Sequence, residues 1–432
     1  MFLQNAIEKR IDDDNPVKVA LIGAGKFGSM FLSQVPSTKG IEVLVIADLK
    51  PDNAVKACKN VGWSDDLINK TKFVDTGADA IKLNEVEVVI EATGFPAAGI
   101  EHARQAFQNG KHIIMVNVEA DVLAGAALAK EANSVGVVYS MAYGDQPALT
   151  AEIVEWARAS GFNVTSAGKG TRYQPIYHKS SPDTVWDYYG LTHEEARKAG
   201  MNPKMFNSFL DGTKSGLEMA AIANACDLEV PTNGLLFPPC GMDDLANILK
   251  PLEFGGLLEK NGQVEVVSSL ERDGRPVFKD LRWGVYAVLE APNDYAASCF
   301  KQYGMNTDDT GKYSAMYKPF HLIGMELNIS VFSAALLNQA TGQTKKFTGD
   351  VVSTTKKNLK KSEILDGEGG ATVWGKLVPS KLSLSMEALP IGLAHGIKLK
   401  NEIEENKIIT WNDVDFSSND PAISYRRKME KD

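Results

Sequence analysis

Residues 17–28 read Val-Lys-Val-Ala-Leu-Ile-Gly-Ala-Gly-Lys-Phe-Gly, an apolar strand that runs straight into a G-x-G-x-x-G turn. Each glycine answers a separate steric demand. Gly23 permits the tight turn, Gly25 lets backbone approach a pyrophosphate, and Gly28 lets the following helix pack closely on the strand. Lys26 and Phe27 complete the turn, where a helix start offers N–H groups to phosphate. Asp48 follows Gly28 by twenty positions, after a second apolar segment at 42–47. An acid there accepts a hydrogen bond from a ribose hydroxyl. Strand, turn, helix and acid together predict a dinucleotide-binding half.

The alternation continues to about residue 150. Strands are predicted at 17–22, 43–47, 86–90, 112–116 and 135–140, and helices at 27–34, 53–60, 99–108 and 122–134. That rhythm specifies a Rossmann-type doubly wound parallel sheet, whose ligands lie beyond the carboxyl ends of the strands. The loops at 91–94, 117–119 and 143–147 occupy those ends, which adds Thr93, Gly94, Asn117 and Glu119 to the expected cofactor contacts. At 432 residues the chain fits two or three domains. We divide it into a dinucleotide domain at 1–150, an α+β catalytic and oligomerisation domain at 151–349, and a small β-rich domain at 350–432.

A net charge of −9 argues against a nucleic-acid or anionic-membrane surface. Cys58, Cys226, Cys240 and Cys299 lie far apart, with no CxxC pair, and read as reduced thiols. The N-terminal stretch is too charged for a signal peptide, and no apolar run reaches membrane-spanning length. A cytoplasmic protein is expected.

Three clusters could carry chemistry. Lys169, Thr171, Arg172 and Tyr173 follow a strand-like stretch at 163–167, with Gly168 and Gly170 flanking Lys169. Two cations and a hydroxyl in a glycine-flanked loop make an anion grip; the plain alternative is a solvated basic turn. Asp211, Lys214 and Glu218 recur at helical spacing in an alanine-rich helix predicted over 207–227. They share one face, unless Asp211 only caps the helix and Lys214 with Glu218 is a surface pair contributing about 0.3–0.5 kcal/mol. Tyr317 and Lys318 precede Pro319 and a predicted helix at 322–338. A phenol beside an ammonium stabilises an oxyanion and moves protons, whereas the alternative is an aromatic turn over a core edge. The expected catalytic set is Lys169, Arg172, Asp211, Lys214, Tyr317 and Lys318. The lysines are read as exposed, so replacing them is expected to leave stability unchanged. A Mg or Mn ion on carboxylates such as Asp145, Asp211 or Glu218 stays open.

The runs NPVKVALIGAGKFGSMFLSQV, EATGFPAAGIEHA, MVNVEADVLAG, SFLDGTKSGLEMAAIANA and YKPFHLIGMELNISV, with LDGEGG and ALPIGLAHGIKLK in the tail, carry a family resemblance. The chain resembles homoserine-dehydrogenase-like oxidoreductases with a C-terminal SAF-type domain, and within them the DXR-like (DRL) reductoisomerases. The resemblance implies conversion of 1-deoxy-D-xylulose 5-phosphate to 2-C-methyl-D-erythritol 4-phosphate with NADPH, a step toward isoprenoid precursors. Two departures stand out. Homoserine dehydrogenases carry a lysine in the loop after strand four, where this chain has Glu119, which argues against homoserine. Asp48 favours NAD(H) over NADP(H), although Lys50 partly compensates, so NADP(H) is placed first and NAD(H) second. Charge and placement assign Lys169 and Arg172 to a phosphate or carbonyl, Asp211 and Lys214 to hydroxyls, and Tyr317 with Lys318 to protons. A homo-oligomer acting on a small phosphorylated or otherwise anionic substrate follows as the expectation. The alternatives are a dehydrogenase of another small hydroxy, keto or sugar-acid compound, and a non-catalytic cofactor-sensing scaffold.

Overall fold

The apolar strand ahead of the glycine turn becomes the middle of a six-stranded parallel sheet. Its strands are β1 (Val17–Ile22), β2 (Ile41–Ala47), β3 (Lys72–Val74), β4 (Val88–Glu91), β5 (His112–Met115) and β6 (Tyr139–Met141), in the order β3-β2-β1-β4-β5-β6. The structure is a computed structural model and describes residues 3–431. Met1 and Phe2, at the head of the predicted first domain, and Asp432, at the end of the third, lie outside the described residues. Central strands of such a sheet are covered on both faces, which explains their unbroken Val, Ile and Leu content. Val19, Leu21, Ile46, Ile90 and Ile114 share one core with Leu327, Val331 and Phe332.

Those last three residues come from far along the chain. The described residues form two compact units, one running to Glu152 and including His321–Lys345, the other containing Ile153–Phe320 and everything from Lys346. The units thus cut the chain differently from 1–150, 151–349 and 350–432. The apolar helix Asn328–Leu337 belongs with the parallel sheet because its buried face packs there.

The second unit holds a mixed sheet of β7 (Asn163–Thr171), β8 (Gln263–Ser268), β9 (Val285–Glu290) and β10 (Tyr313–Lys318), in the order β10-β9-β7-β8. The helix Thr213–Cys226 packs against β7 and β8. It also packs against β11 (Gly349–Thr355) and β13 (Val373–Pro379), an antiparallel pair. The remaining tail strands, β12 (Ile364–Asp366), β14 (His395–Leu399) and β15 (Val414–Asp415), form a three-stranded sheet. The tail is β-rich, as read from sequence, but it is built into the second unit. Asn224 shows why: its Oδ1 accepts the Thr348 and Gly349 N–H groups, each at 2.8 Å.

Several element boundaries differ from expectation for local reasons. β3 was not anticipated, being only three residues with a lysine at its start. The predicted helix at 122–134 starts at Val118 because the Asn117 side chain caps it, accepting from Ala120 N–H at 3.1 Å. The predicted helix at 207–227 is two, Pro203–Leu210 and Thr213–Cys226, broken where Gly212 takes φ +91°. The predicted helix at 322–338 covers only Asn328–Leu337. Gly324, at φ +80°, presses against the backbone of the fingerprint helix Lys26–Gln34, where a Cβ would lie 2.8 Å from the Phe27 carbonyl oxygen.

A terminal helix, Pro421–Met429, is locked by Arg426, which is fully buried. Its guanidinium bonds Asp350 Oδ2 at 2.5 Å and Oδ1 at 3.3 Å, and Glu430 Oε1 at 2.8 Å. Removing one partner of such a pair strands a buried charge. Arg426→Met is therefore expected to lower the unfolding free energy of the second unit by about 3–5 kcal/mol, measured by urea denaturation followed by circular dichroism.

Candidate active site

The fingerprint turn gives its glycines different tasks. Gly23 has φ +96°, and a Cβ there would sit 2.8 Å from the Ala92 carbonyl oxygen. A Cβ on Gly28 would collide with the Gly23 carbonyl. Both are constraints within the unit. Gly25 is different: its φ is −69°, and a Cβ would meet nothing within 4 Å. No neighbour in the unit requires glycine there. A bare face at the N-cap of a helix is what a pyrophosphate needs to reach backbone N–H groups.

Contacts link the turn to the other predicted cofactor residues. Asp48 Oδ2 accepts the Ala24 N–H at 3.2 Å, and Oδ1 accepts the Lys50 N–H at 3.0 Å. The carboxylate is thereby oriented while each oxygen keeps a second lone pair. Thr93 Oγ1 donates to the buried Glu91 at 2.5 Å, and Asn117 Nδ2 lies 3.5 Å from that hydroxyl. Gly94 takes φ +68° in the same loop, and Glu119 is buried in the first turn of Val118–Ser134. Lys26 and Phe27 form the first turn of the fingerprint helix. These positions all lie beyond the carboxyl ends of β1, β2, β4 and β5. Further along Val118–Ser134, Asp121 is fully enclosed, and burial raises its pKa to about 6 despite hydrogen bonds from Tyr139 and Thr344.

In the second unit Lys169 is not in a loop. It lies in β7 and is buried, paired with Glu218 of Thr213–Cys226. Its flanking glycines reflect strand packing: a Cβ on Gly168 would collide with the Glu265 carbonyl, and one on Gly170 with the Leu281 carbonyl. The expectation of an exposed, stability-neutral lysine is corrected accordingly. Val285 is the cross-strand neighbour of both Lys169 and Lys318, so those two lysines share one face of the sheet. Lys214 sits one helical turn before Glu218 and is the sole residue of Thr213–Cys226 that is not buried. Tyr317 is partly exposed in β10. Arg172, just past β7, approaches the Tyr177 hydroxyl at 3.5 Å.

Asp211 is buried too, and its Oδ2 accepts from Lys356 at 2.7 Å. Asp211 and Glu218 are thus each committed to a lysine. Among the described residues no group of three or more His, Cys, Asp or Glu stands close enough to hold a metal.

Three participants escaped the sequence reading. Lys356 carried no local signal. His178 stacks on Trp374 at 4.0 Å, and its Nδ1 lies 2.7 Å from the Asp211 carbonyl oxygen, which only accepts. Nδ1 therefore carries the proton and Nε2 accepts from the Tyr173 hydroxyl at 2.9 Å. Burial pushes the His178 pKa down and keeps the ring neutral. Glu265, buried in β8, accepts N–H bonds from Leu236, Phe237 and Val266, and burial raises its pKa to about 7. A lone acid inside the apolar run QVEVVS was the available signal.

The parallel sheet with its glycine turn is a dinucleotide-binding fold. Residues 23–142 match the NAD-binding domain of homoserine dehydrogenase, and residues 144–327 match the catalytic domain of oxidoreductase DRL. The chain is an NAD(P)-dependent oxidoreductase, similar over these two stretches to the DRL and homoserine dehydrogenase domains. Among curated proteins none matches. A homoserine dehydrogenase from Thiobacillus denitrificans is 15% identical, covering 79% of this chain and 83% of its own, with a TM-score of 0.43. A 3-ketoreductase from Actinomadura kijaniata in complex with NADP is 16% identical over 37% of this chain and 50% of its own, with a TM-score of 0.26. The chain spans about half the length of the ketoreductase structures it matches.

Gly25→Val should leave the melting curve unchanged and weaken NAD(P)H binding at least about tenfold, or 1.4 kcal/mol, in fluorescence titration. Undiminished affinity would place the pyrophosphate elsewhere. Asp121 gives a pH test. Its folded pKa, about 6, lies above the ordinary 3.8, so its stabilisation is complete below about 3.8 and is lost as pH rises through 6. The stability difference between the native protein and Asp121→Asn should therefore shift by a few kcal/mol against the native protein between those pH values, read from urea midpoints.

Proposed function

We propose that the protein is a reductoisomerase that converts 1-deoxy-D-xylulose 5-phosphate to 2-C-methyl-D-erythritol 4-phosphate with NADPH, NADH being the second choice. The observation that supports this reading is Lys214. A helix buried along its whole length leaves one residue accessible, and it is a lysine one turn from a buried carboxylate. A half-buried lysine there suits a substrate whose oxygen becomes negative while its carbon skeleton shifts.

The reaction divides into two steps. In the rearrangement one carbon–carbon bond breaks and another forms, with no net oxidation. Lys214 stabilises the developing oxyanion, and Arg172 with Lys318 holds the phosphate. Tyr317 takes and returns the hydroxyl proton. Lys169, whose charge is matched by Glu218, and Asp211, matched by Lys356, orient these groups. A reduced nicotinamide dinucleotide held at Gly25 and Asp48 would supply a hydride to the resulting aldehyde, giving the alcohol. Asp48, which disfavours a 2′-phosphate, supports a second reading: an NAD-linked dehydrogenase of another small hydroxy, keto or sugar-acid compound.

Incubation with 1-deoxy-D-xylulose 5-phosphate and either NADPH or NADH, with products identified by NMR, tests both readings. A branched tetrol phosphate is expected. Turnover of hydroxy or sugar acids with no branched product would favour the dehydrogenase. Lys214→Ala should lower kcat/KM by about 10²-fold or more, roughly 2.7 kcal/mol, with little effect on the melting curve, because Lys214 is the unburied position.

A further inference from the structure

We infer that Lys356, supplied by the β-rich tail just past β11, is a positioning residue that holds the turn at Asp211, Gly212 and Thr213 and thereby sets Lys214; this rests on the reading of Lys214 given above. Lys356 is buried, and three acceptors surround its ammonium, each at 2.7 Å: Asp211 Oδ2, the Ser180 carbonyl and the Gly370 carbonyl. An ammonium has three N–H donors, so this set saturates it. Asp211 in turn uses Oδ1 to accept the Thr213 N–H at 2.8 Å. His178 donates to the Asp211 carbonyl at 2.7 Å. Two residues further, Thr213 Oγ1 accepts the Gly375 N–H of β13 at 2.8 Å.

The tail therefore grips both residues that flank Gly212. The grip is close as well as polar. A Cβ on Gly375 would lie 2.9 Å from Thr213 Cγ2, so the strand approaches the turn as only glycine allows. Further bonds extend the seam, with Asn207 Nδ2 donating to the Gly369 carbonyl at 2.9 Å and Lys204 Nζ to the Asp366 carbonyl at 2.6 Å. Gly212, at φ +91°, is the flexible link in this turn, and Lys214 is the second residue of the helix it opens. Inside the turn only the Asp211–Thr213 bond spans Gly212, and the clamp fixes the carboxylate that makes it. The tail is thus given a task in the chemistry, although it supplies no group that touches substrate.

The test replaces both partners, because Lys356→Met alone would leave Asp211 buried and uncompensated and could prevent folding. In the full chain, Asp211→Asn with Lys356→Met removes both charges. This variant is expected to fold by circular dichroism and to bind NADPH within about twofold of the native protein, while kcat/KM for 1-deoxy-D-xylulose 5-phosphate falls about 10²-fold. Adding Lys214→Ala to it should cost less than about threefold more, since groups that act through one another are not additive. A second readout needs no substrate: the pH dependence of Lys214 acetylation, followed by mass spectrometry, should shift in the double variant while that of the exposed Lys9 does not. Unchanged Lys214 labelling, or full additivity with Lys214→Ala, would overturn the clamp. Failure of the substrate reading shows separately, as no branched product from the native protein, and leaves the labelling result to decide the clamp. If the double variant does not fold, Thr213→Val, which breaks the Gly375 bond alone, takes its place with the same two readouts.

Discussion

The second unit is organised by a helix whose carboxylate, Glu218, has no solvent around it. Thr213–Cys226 is buried on every side but one, between a mixed sheet and the β11–β13 pair. A charge taken out of water is costly unless an opposite charge and further hydrogen bonds replace the lost hydration. Each carboxylate at this helix start is answered by one lysine: Glu218 by Lys169 from β7, Asp211 by Lys356 from beyond β11. Those two pairs draw on both layers that cover the helix. They make its register on each layer a matter of charge compensation as well as packing.

The dinucleotide half obeys a different kind of constraint. There the decisive contacts are steric, and they occur where backbone must approach backbone. Gly23 and Gly28 are required by the Ala92 and Gly23 carbonyls. Gly25 is required by nothing that the unit contains, and a Cβ there would meet open space. Two of the three glycines thus serve the fold and the third does not, and Asp48 beside them is held by two backbone hydrogen bonds.

Periodicity made the parallel sheet and most of its helices legible, since strands buried on both faces read as unbroken apolar runs. It erred where one residue interrupts a pattern. Gly212 splits a helix that composition presents as continuous, and Asn117 starts another four residues early. The glycines around Lys169 read as a loop, yet they are strand residues pressed against neighbouring carbonyls. Glycine marks close approach and flexibility alike, and the sequence does not say which. Lys169 consequently changes from a solvated group to a buried one.

What the sequence determined by itself was local: the strand–turn–helix of the fingerprint, the acid twenty residues on, the helical spacing that sets Lys214 one turn from Glu218, and the β character of the tail. Each depends on residues within a few turns of one another, or on a motif whose spacing is itself the constraint. The tertiary structure decided the partners. The Asp211–Lys356 pair spans 145 positions, and helix Asn328–Leu337 returns to a sheet that ends at Met141. Nothing local distinguishes Lys356 from the lysines beside it, because its role comes from the three acceptors that folding brings to its ammonium.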